Sequence, residues 1–158
     1  MLPLWINLII IVATFLFMEG VAWFTHKYVM HGFLWVWHKS HHSPYAGIFE
    51  RNDLFGVVFA LPAIACCVAG LEIESWRFLF YVGLGITGYG IFYVMFHDIL
   101  VHRRVKHQIR PQNPYLKRMI RAHKIHHKVS TKEGAEAFGF LYAPIKYAVK
   151  SNMTNSVN

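Results

Sequence analysis

Three apolar runs, each long enough to take a helix across or nearly across a lipid bilayer, limit what this chain can fold into more than any other feature. From Leu2 to Phe24 the polar side chains are Asn7, Thr14 and Glu19. As a helix this run is about 35 Å long at about 1.5 Å per residue, which exceeds a hydrocarbon core of about 30 Å. A second run covers Leu54 to Leu71, and after the short polar link Glu72-Ile73-Glu74-Ser75 a third covers Trp76 to Phe96. Backbone groups in hydrocarbon must be satisfied within the segment, which leaves helices for runs of this kind. The chain is therefore expected to be an all-α integral membrane protein with three to four transmembrane helices. A fourth crossing would have to lie in Gly32 to Trp37 or near Phe138. The residues are 55% hydrophobic and 15% charged, against about 25% charged in ordinary soluble domains, which argues against a disordered chain or an ordinary cytoplasmic enzyme. A cleaved signal peptide is rejected for the first run, because it has no basic start and is too long for a signal core. The length of 158 residues allows one domain. It is taken as residues 1–150, with spans at about 2–24, 54–71 and 76–96, and residues 151–158 form a polar tail expected to be disordered.

Three crossings bring the later loops to one side. If the first run leads from side one to side two, the hairpin of the second and third runs goes out and returns, so residues 25–53 and everything beyond 96 share side two. Of the 16 lysines and arginines, all but Arg77 fall in those segments, and positive loops stay cytoplasmic. A multi-pass protein of the inner (cytoplasmic) membrane is expected, with side two facing the cytoplasm. Trp5, Trp23, Trp35, Trp37 and Trp76 stand near the span ends, where indole rings prefer the interface. The net charge of +8 alone suits nucleic acid or an anionic membrane, and the apolar runs decide for the membrane, with no nucleic acid as partner. The basic stretch from Arg103 to Lys128 reads as a segment held on anionic lipid or as a docking surface for an acidic redox partner. Residues 134–149, aromatic around Pro144, read as half-buried or interfacial. Cys66 and Cys67 read as packing residues, as do Gly83, Gly85, Gly88 and Gly90 in preference to making room for a substrate.

The 11 histidines are the chemical signal, since all but His107 fall into four groups on side two. The groups are His26/His31, His38/His41/His42, His97/His102 and His123/His126/His127. The groups of three stand at i, i+3 and i+4, one narrow helical face, so each is expected to supply most of one ion's ligands. The pairs stand at i and i+5, about 140° apart on a regular helix, so each pair is expected to diverge and serve different ions. Ten imidazoles exceed what one first-row ion accepts, and the count implies two ions. His107 fits no group and reads as interfacial. Carboxylates are too few for a glutamate-rich di-iron site, so the site must be nitrogen-rich. Asp98 and Asp53, with Asn52, are candidates to accept hydrogen bonds from ligand imidazoles. Glu19 inside the first span should be protonated, paired with another helix, or lining the substrate cavity. Dioxygen chemistry calls for a redox metal such as iron, but imidazole holds zinc or copper equally well, and a membrane metal-handling site stays open on spacing alone.

The four motifs HX4H, HX2HH, HX4H and HX2HH, in that order, resemble those of the fatty acid hydroxylase and sterol desaturase superfamily. Within it they are most similar to bacterial β-carotene hydroxylases. The flanking residues carry the likeness further: His26-Lys-Tyr-Val-Met-His-Gly32, Trp37-His38, Phe49-Glu50, Asn52-Asp53-Leu54, His97-Asp98, Tyr115-Leu116-Lys117-Arg118 and Phe138-Gly139-Phe140-Leu141-Tyr142-Ala143-Pro144. The resemblance implies a non-haem di-iron monooxygenase with all ten grouped histidines as ligands to two Fe ions and O2 as co-substrate. The implied reaction is hydroxylation of β-ionone rings at carbon 3, from β-carotene by way of β-cryptoxanthin to zeaxanthin, with canthaxanthin to astaxanthin as a further conversion. It also implies a carotenoid drawn from the bilayer through a lipid-facing tunnel, and electrons from a ferredoxin-like donor and its reductase. Zinc is the expected substitute in a purified sample. The alternatives are a fatty acyl or sterol hydroxylase or desaturase, or a carotenoid ketolase, with the same histidines, and a non-enzymatic membrane metal-binding protein.

Overall fold

The computed structural model describes residues 2–43, 47 and 49–148. The tail expected to be disordered, residues 151–158, lies outside the described residues. The chain is all-α. Helix α1 spans Leu4–Phe24 and runs on as a wider helix, Thr25–Phe33, whose backbone bonds reach five residues back. The short α2, Trp35–His38, leads into a tight turn over Lys39–His42. Helix α3, Leu54–Glu72, and helix α4, Arg77–Tyr93, form the hairpin, and α4 also runs on as a wide helix, Val94–Val101. Helix α5, Pro114–His126, starts with proline in its first turn, and the Asn113 side chain accepts the Tyr115 N–H at 2.8 Å. Both are start signals of an α-helix.

Three helices among the described residues are long and apolar enough to cross a membrane: Leu4–Phe33, Arg51–Glu72 and Glu74–Val101. Neither region held open for a fourth is long enough. Helix α2 has 4 residues, and among the described residues near Phe138 the helix present is a single turn, Ile145–Tyr147. The outward faces of the long helices stay apolar, with Leu4, Phe17, Leu61 and Ile91 exposed, a surface suited to lipid rather than water.

Helices α3 and α4 pack on one another, and α1 packs on α4. Glycines let the backbones approach. A Cβ at Gly85 would lie 2.6 Å from Thr14 Cβ and 2.8 Å from the Ile11 carbonyl oxygen, and one at Gly83 would meet Cys67 Sγ and the Ala63 carbonyl oxygen. Small residues serve helix contacts in this way in membrane proteins. Gly90 differs from the packing expected of it, since a Cβ there would meet nothing within 4 Å and the residue lines a cavity.

The segment after α5 is half-buried, one of the two readings its sequence left open. Phe140, Ala143 and Tyr147 join the core formed with Met18, Ala22, Tyr89, Phe96 and Met119. Glu19 explains why. Its carboxyl accepts the Tyr89 hydroxyl at 2.7 Å and the backbone N–H groups of Phe140 and Leu141 at 2.8 and 2.9 Å. Of the roles open to it, pairing with another helix is the one observed, and it ties α1, α4 and the C-terminal segment together.

Candidate metal centre

Two nests of five histidines form where the wide ends of α1 and α4 meet α2, the turn after it, and α5. His26, His31, His38, His42 and His126 make the first, and His41, His97, His102, His123 and His127 the second. Within each nest the ligand atoms lie within 4.8 Å of one another. Neighbouring Nε2 atoms stand 3.1 Å apart for His26 and His38, 3.2 Å for His31 and His126, 3.2 Å for His42 and His38, 2.9 Å for His41 and His97, 3.1 Å for His102 and His123, and 2.9 Å for His127 and His123. Adjacent ligands at right angles on an ion with metal–nitrogen bonds of about 2.0–2.1 Å would be about 2.9 Å apart. The nests abut: the His42 and His127 rings stack with centroids 4.5 Å apart.

The division of ligands overturns both expectations drawn from spacing. Each pair at i and i+5 serves one nest, because the helix that carries it is not a regular α-helix. The His102 N–H bonds to the His97 carbonyl at 2.9 Å, and the Leu34 N–H to that of Val29 at 3.0 Å. Such i→i+5 bonding brings residues five apart one turn above each other. The first wide segment breaks at Gly32, whose ψ of −123° is not helical. Each group of three, in turn, is shared. His38 and His42 go to the first nest and His41 to the second, while His123 and His127 go to the second and His126 to the first. In both groups the i and i+4 residues stay together and the i+3 residue crosses over. The repeated order of spacings in the sequence is thus a two-fold exchange of ligands in space.

Seven of the ten rings have an acceptor behind Nδ1, which assigns the proton to that nitrogen and leaves the Nε2 lone pair facing the nest. His26, His31, His42 and His126 donate to the carbonyls of Phe138, Lys132, Val129 and Glu136 at 2.9, 3.0, 2.7 and 2.9 Å. His38 donates to Asn52 Oδ1 at 2.7 Å, His41 to Glu50 Oε1 at 2.8 Å and His97 to Asp98 Oδ1 at 2.7 Å. Asp53 instead caps the Glu50 N–H at 3.0 Å and pairs with Arg104 at 2.8 Å, touching no imidazole. Glu50 and Arg104 join the network behind the imidazoles, which the histidine spacing did not reveal. Arg104 gathers Glu50, Asp53 and Asp98 at 3.0, 2.8 and 3.6 Å. Its position two residues after His102, the seventh of the ten grouped histidines, was the only hint. His107 lies outside both nests, donating to the Ile99 carbonyl at 2.7 Å and accepting the Ile109 N–H at 3.1 Å.

Burial holds the imidazoles neutral. It is the largest cause of the lowered values of His42 and His102, both brought down to about 4, and of His126, brought down to about 3. His41, His123 and His127 are likewise held well below the ordinary value, first by burial and then by neighbouring imidazoles. Aromatic rings complete the dry wall, with Phe140 stacked on His26 at 5.6 Å and Tyr93 on His97 at 4.5 Å. Lone pairs converging this closely in a buried site repel one another unless a cation sits among them. The donor set fits two metal ions, and all-nitrogen donation suits a first-row transition metal.

A cavity of about 670 Å³ reaches the nests from between α1, α3 and α4. His26, His38 and His97 form its inner end, Phe55, Phe59 and Ala63 line its α3 side, and the exposed Ile64 and Ile91 stand at its outer rim.

The sequence pattern of the fatty acid hydroxylase family matches residues 11–148. The chain belongs to that family. Among its fatty acid hydroxylase relatives are bacterial β-carotene hydroxylases, with which it is homologous. It is 49% identical to the β-carotene hydroxylase of Pantoea ananas over 142 residues, which is 89% of this chain and 80% of that protein. It is 48% identical to that of Pseudescherichia vulneris over 138 residues, 87% of this chain and 77% of the relative. With the Paracoccus sp. (strain PC1) protein the identity is 41% over 149 residues, 94% of this chain and 91% of the other. No solved structure matches the chain.

Proposed function

We propose that this protein is an O2-dependent monooxygenase of the inner membrane that hydroxylates the β-ionone rings of carotenoids at carbon 3, with one iron ion in each histidine nest. The observation that carries this reading is the cavity, because most of its wall is apolar and it ends on imidazoles of both nests. An apolar substrate ring seated there has its edge against the metal centre, and its remaining chain leaves between α3 and α4 toward lipid. The names of the bacterial relatives supply the substrate class. Iron bound in the nests would supply activation of O2 for insertion of oxygen into an unactivated C–H bond.

The residues of the chain do the rest. The walls made by Phe55, Phe59 and Ala63 bind the ring by burial, and Phe140 with Tyr93 excludes water from the imidazoles. The acceptors behind Nδ1 orient the ligand rings. The histidine face lies toward the cytoplasm, where a ferredoxin-like donor, kept reduced by its reductase, delivers electrons. The exposed basic residues Arg121, Lys124 and Lys128 of α5 and the turn after it suit an acidic donor.

Expression in a bacterium that accumulates β-carotene tests the reading. Zeaxanthin should appear by way of β-cryptoxanthin. Unchanged β-carotene in cells that contain the folded, metal-loaded protein would overturn the substrate assignment.

A further inference from the structure

The groups behind the ten imidazoles differ in charge between the two nests. In the first nest all five Nδ1–H groups donate to neutral acceptors, four backbone carbonyls and the Asn52 carboxamide. In the second, His41 and His97 donate to the carboxylates of Glu50 and Asp98. Among the described residues no acceptor stands behind His102, His123 or His127, and His123 Nδ1 is buried without a partner. Three carboxyl groups, Glu50, Asp53 and Asp98, share the guanidinium of Arg104 beside the second nest, and among the described residues no second lysine or arginine pairs with them. The arrangement is held firmly, because the Glu50 side chain and the Asp53 side chain cap one another's backbone across the turn Arg51–Asp53.

We propose that the two nests are unequal metal sites, that the second binds its ion more tightly, and that Glu50 and Asp98 are the positioning residues responsible. The inference rests on the reading of both nests as metal sites. An imidazole that donates its N–H to a carboxylate carries more electron density on the opposite nitrogen and is a stronger ligand. A carboxylate one ring's width from a dication also attracts it in a medium that screens poorly. The first nest has only carbonyl acceptors, which polarise an imidazole less than a carboxylate does. The second nest therefore fills first and holds the more oxidised ion of an unequal pair.

Titration of the metal-free full-length protein in detergent with Co2+, followed by visible absorption and by bound-metal analysis, tests this. Two ions should bind in two separable steps. Glu50→Gln and Asp98→Asn should each weaken the tighter step by about 10- to 100-fold, the range found when a partner of a ligand is removed, and leave the weaker step in place. Asn52→Asp puts a carboxylate behind His38 in the first nest and should tighten the weaker step, narrowing the gap. A damaged fold cannot mimic that gain. Two equivalent ions in the unmodified protein, equal weakening of both steps by Glu50→Gln, or no narrowing by Asn52→Asp would each overturn the inequality. Binding of fewer than two ions would instead overturn the reading of the nests on which it rests.

Discussion

At the scale of single residues, the centre depends on which nitrogen of each imidazole carries the proton. Backbone carbonyls and side-chain oxygens hold Nδ1–H, and the Nε2 lone pairs are thereby aimed inward. Loss of one inward nitrogen is different in kind from loss of a histidine that only staples a loop. His126→Ala should abolish product and lower bound metal, whereas His107→Ala should keep most of the activity, as read by carotenoid extraction from the producing strain. The same burial that keeps the rings neutral makes the metal-free protein acid-sensitive. His42 and His102 titrate near 4 in the folded chain against an ordinary value of 6.5. The unfolded chain therefore takes up protons first, and stability is lost as pH falls from 6.5 toward 4. Thermal unfolding of the metal-free protein should show a lower midpoint at pH 5 than at pH 7.5. Glu19 acts through structure instead. Glu19→Leu leaves the Tyr89 hydroxyl and two backbone N–H groups without their acceptor, and at about 1–3 kcal/mol for each buried group stranded it should destabilise the fold by about 3 kcal/mol or more, measured by denaturation in detergent.

At the scale of elements, helices were legible and their inner winding was not. The apolar runs foretold α1, α3 and α4, and the four histidine groups foretold that two clusters would form. Which histidine joins which cluster was hidden, because regular helix geometry puts His26 and His31 about 140° apart and only the wider winding brings them together. Nothing in the side chains of Thr25–Phe33 or Val94–Val101 announces that winding, since it is imposed by the nests the segments complete. The acceptors from Val129 to Phe138 were equally hidden, being backbone carbonyls of an irregular segment placed only by the tertiary fold. Glycines of one helix also divide by role in a way their spacing does not reveal. Gly85→Leu should break the contact of α4 with α1 and lower the yield of folded protein. Gly90→Leu meets open cavity, so it should leave metal content and unfolding midpoint unchanged while product formation falls sharply.

At the scale of the whole molecule, the fold is a device for bringing four sequence-distant histidine groups to one end of an apolar helical hairpin and a third long helix. The cavity and the nests share His26, His38 and His97, so a molecule in the cavity would meet the nests where an apolar wall gives way to a polar one. The two long apolar runs between the second and fourth histidine groups were readable from hydropathy alone, which is why the meeting of those groups could be anticipated from sequence. A topology reporter placed in the link around Glu74 should report the side opposite to one placed beyond residue 128. The most direct test of the central claim is metal stoichiometry of the purified protein made in iron-rich medium, by elemental analysis against protein concentration. Two metal ions per chain, iron for the most part and lost together with product in His126→Ala and His102→Ala preparations, is the result the paired nests predict. One ion or none in active protein would contradict it.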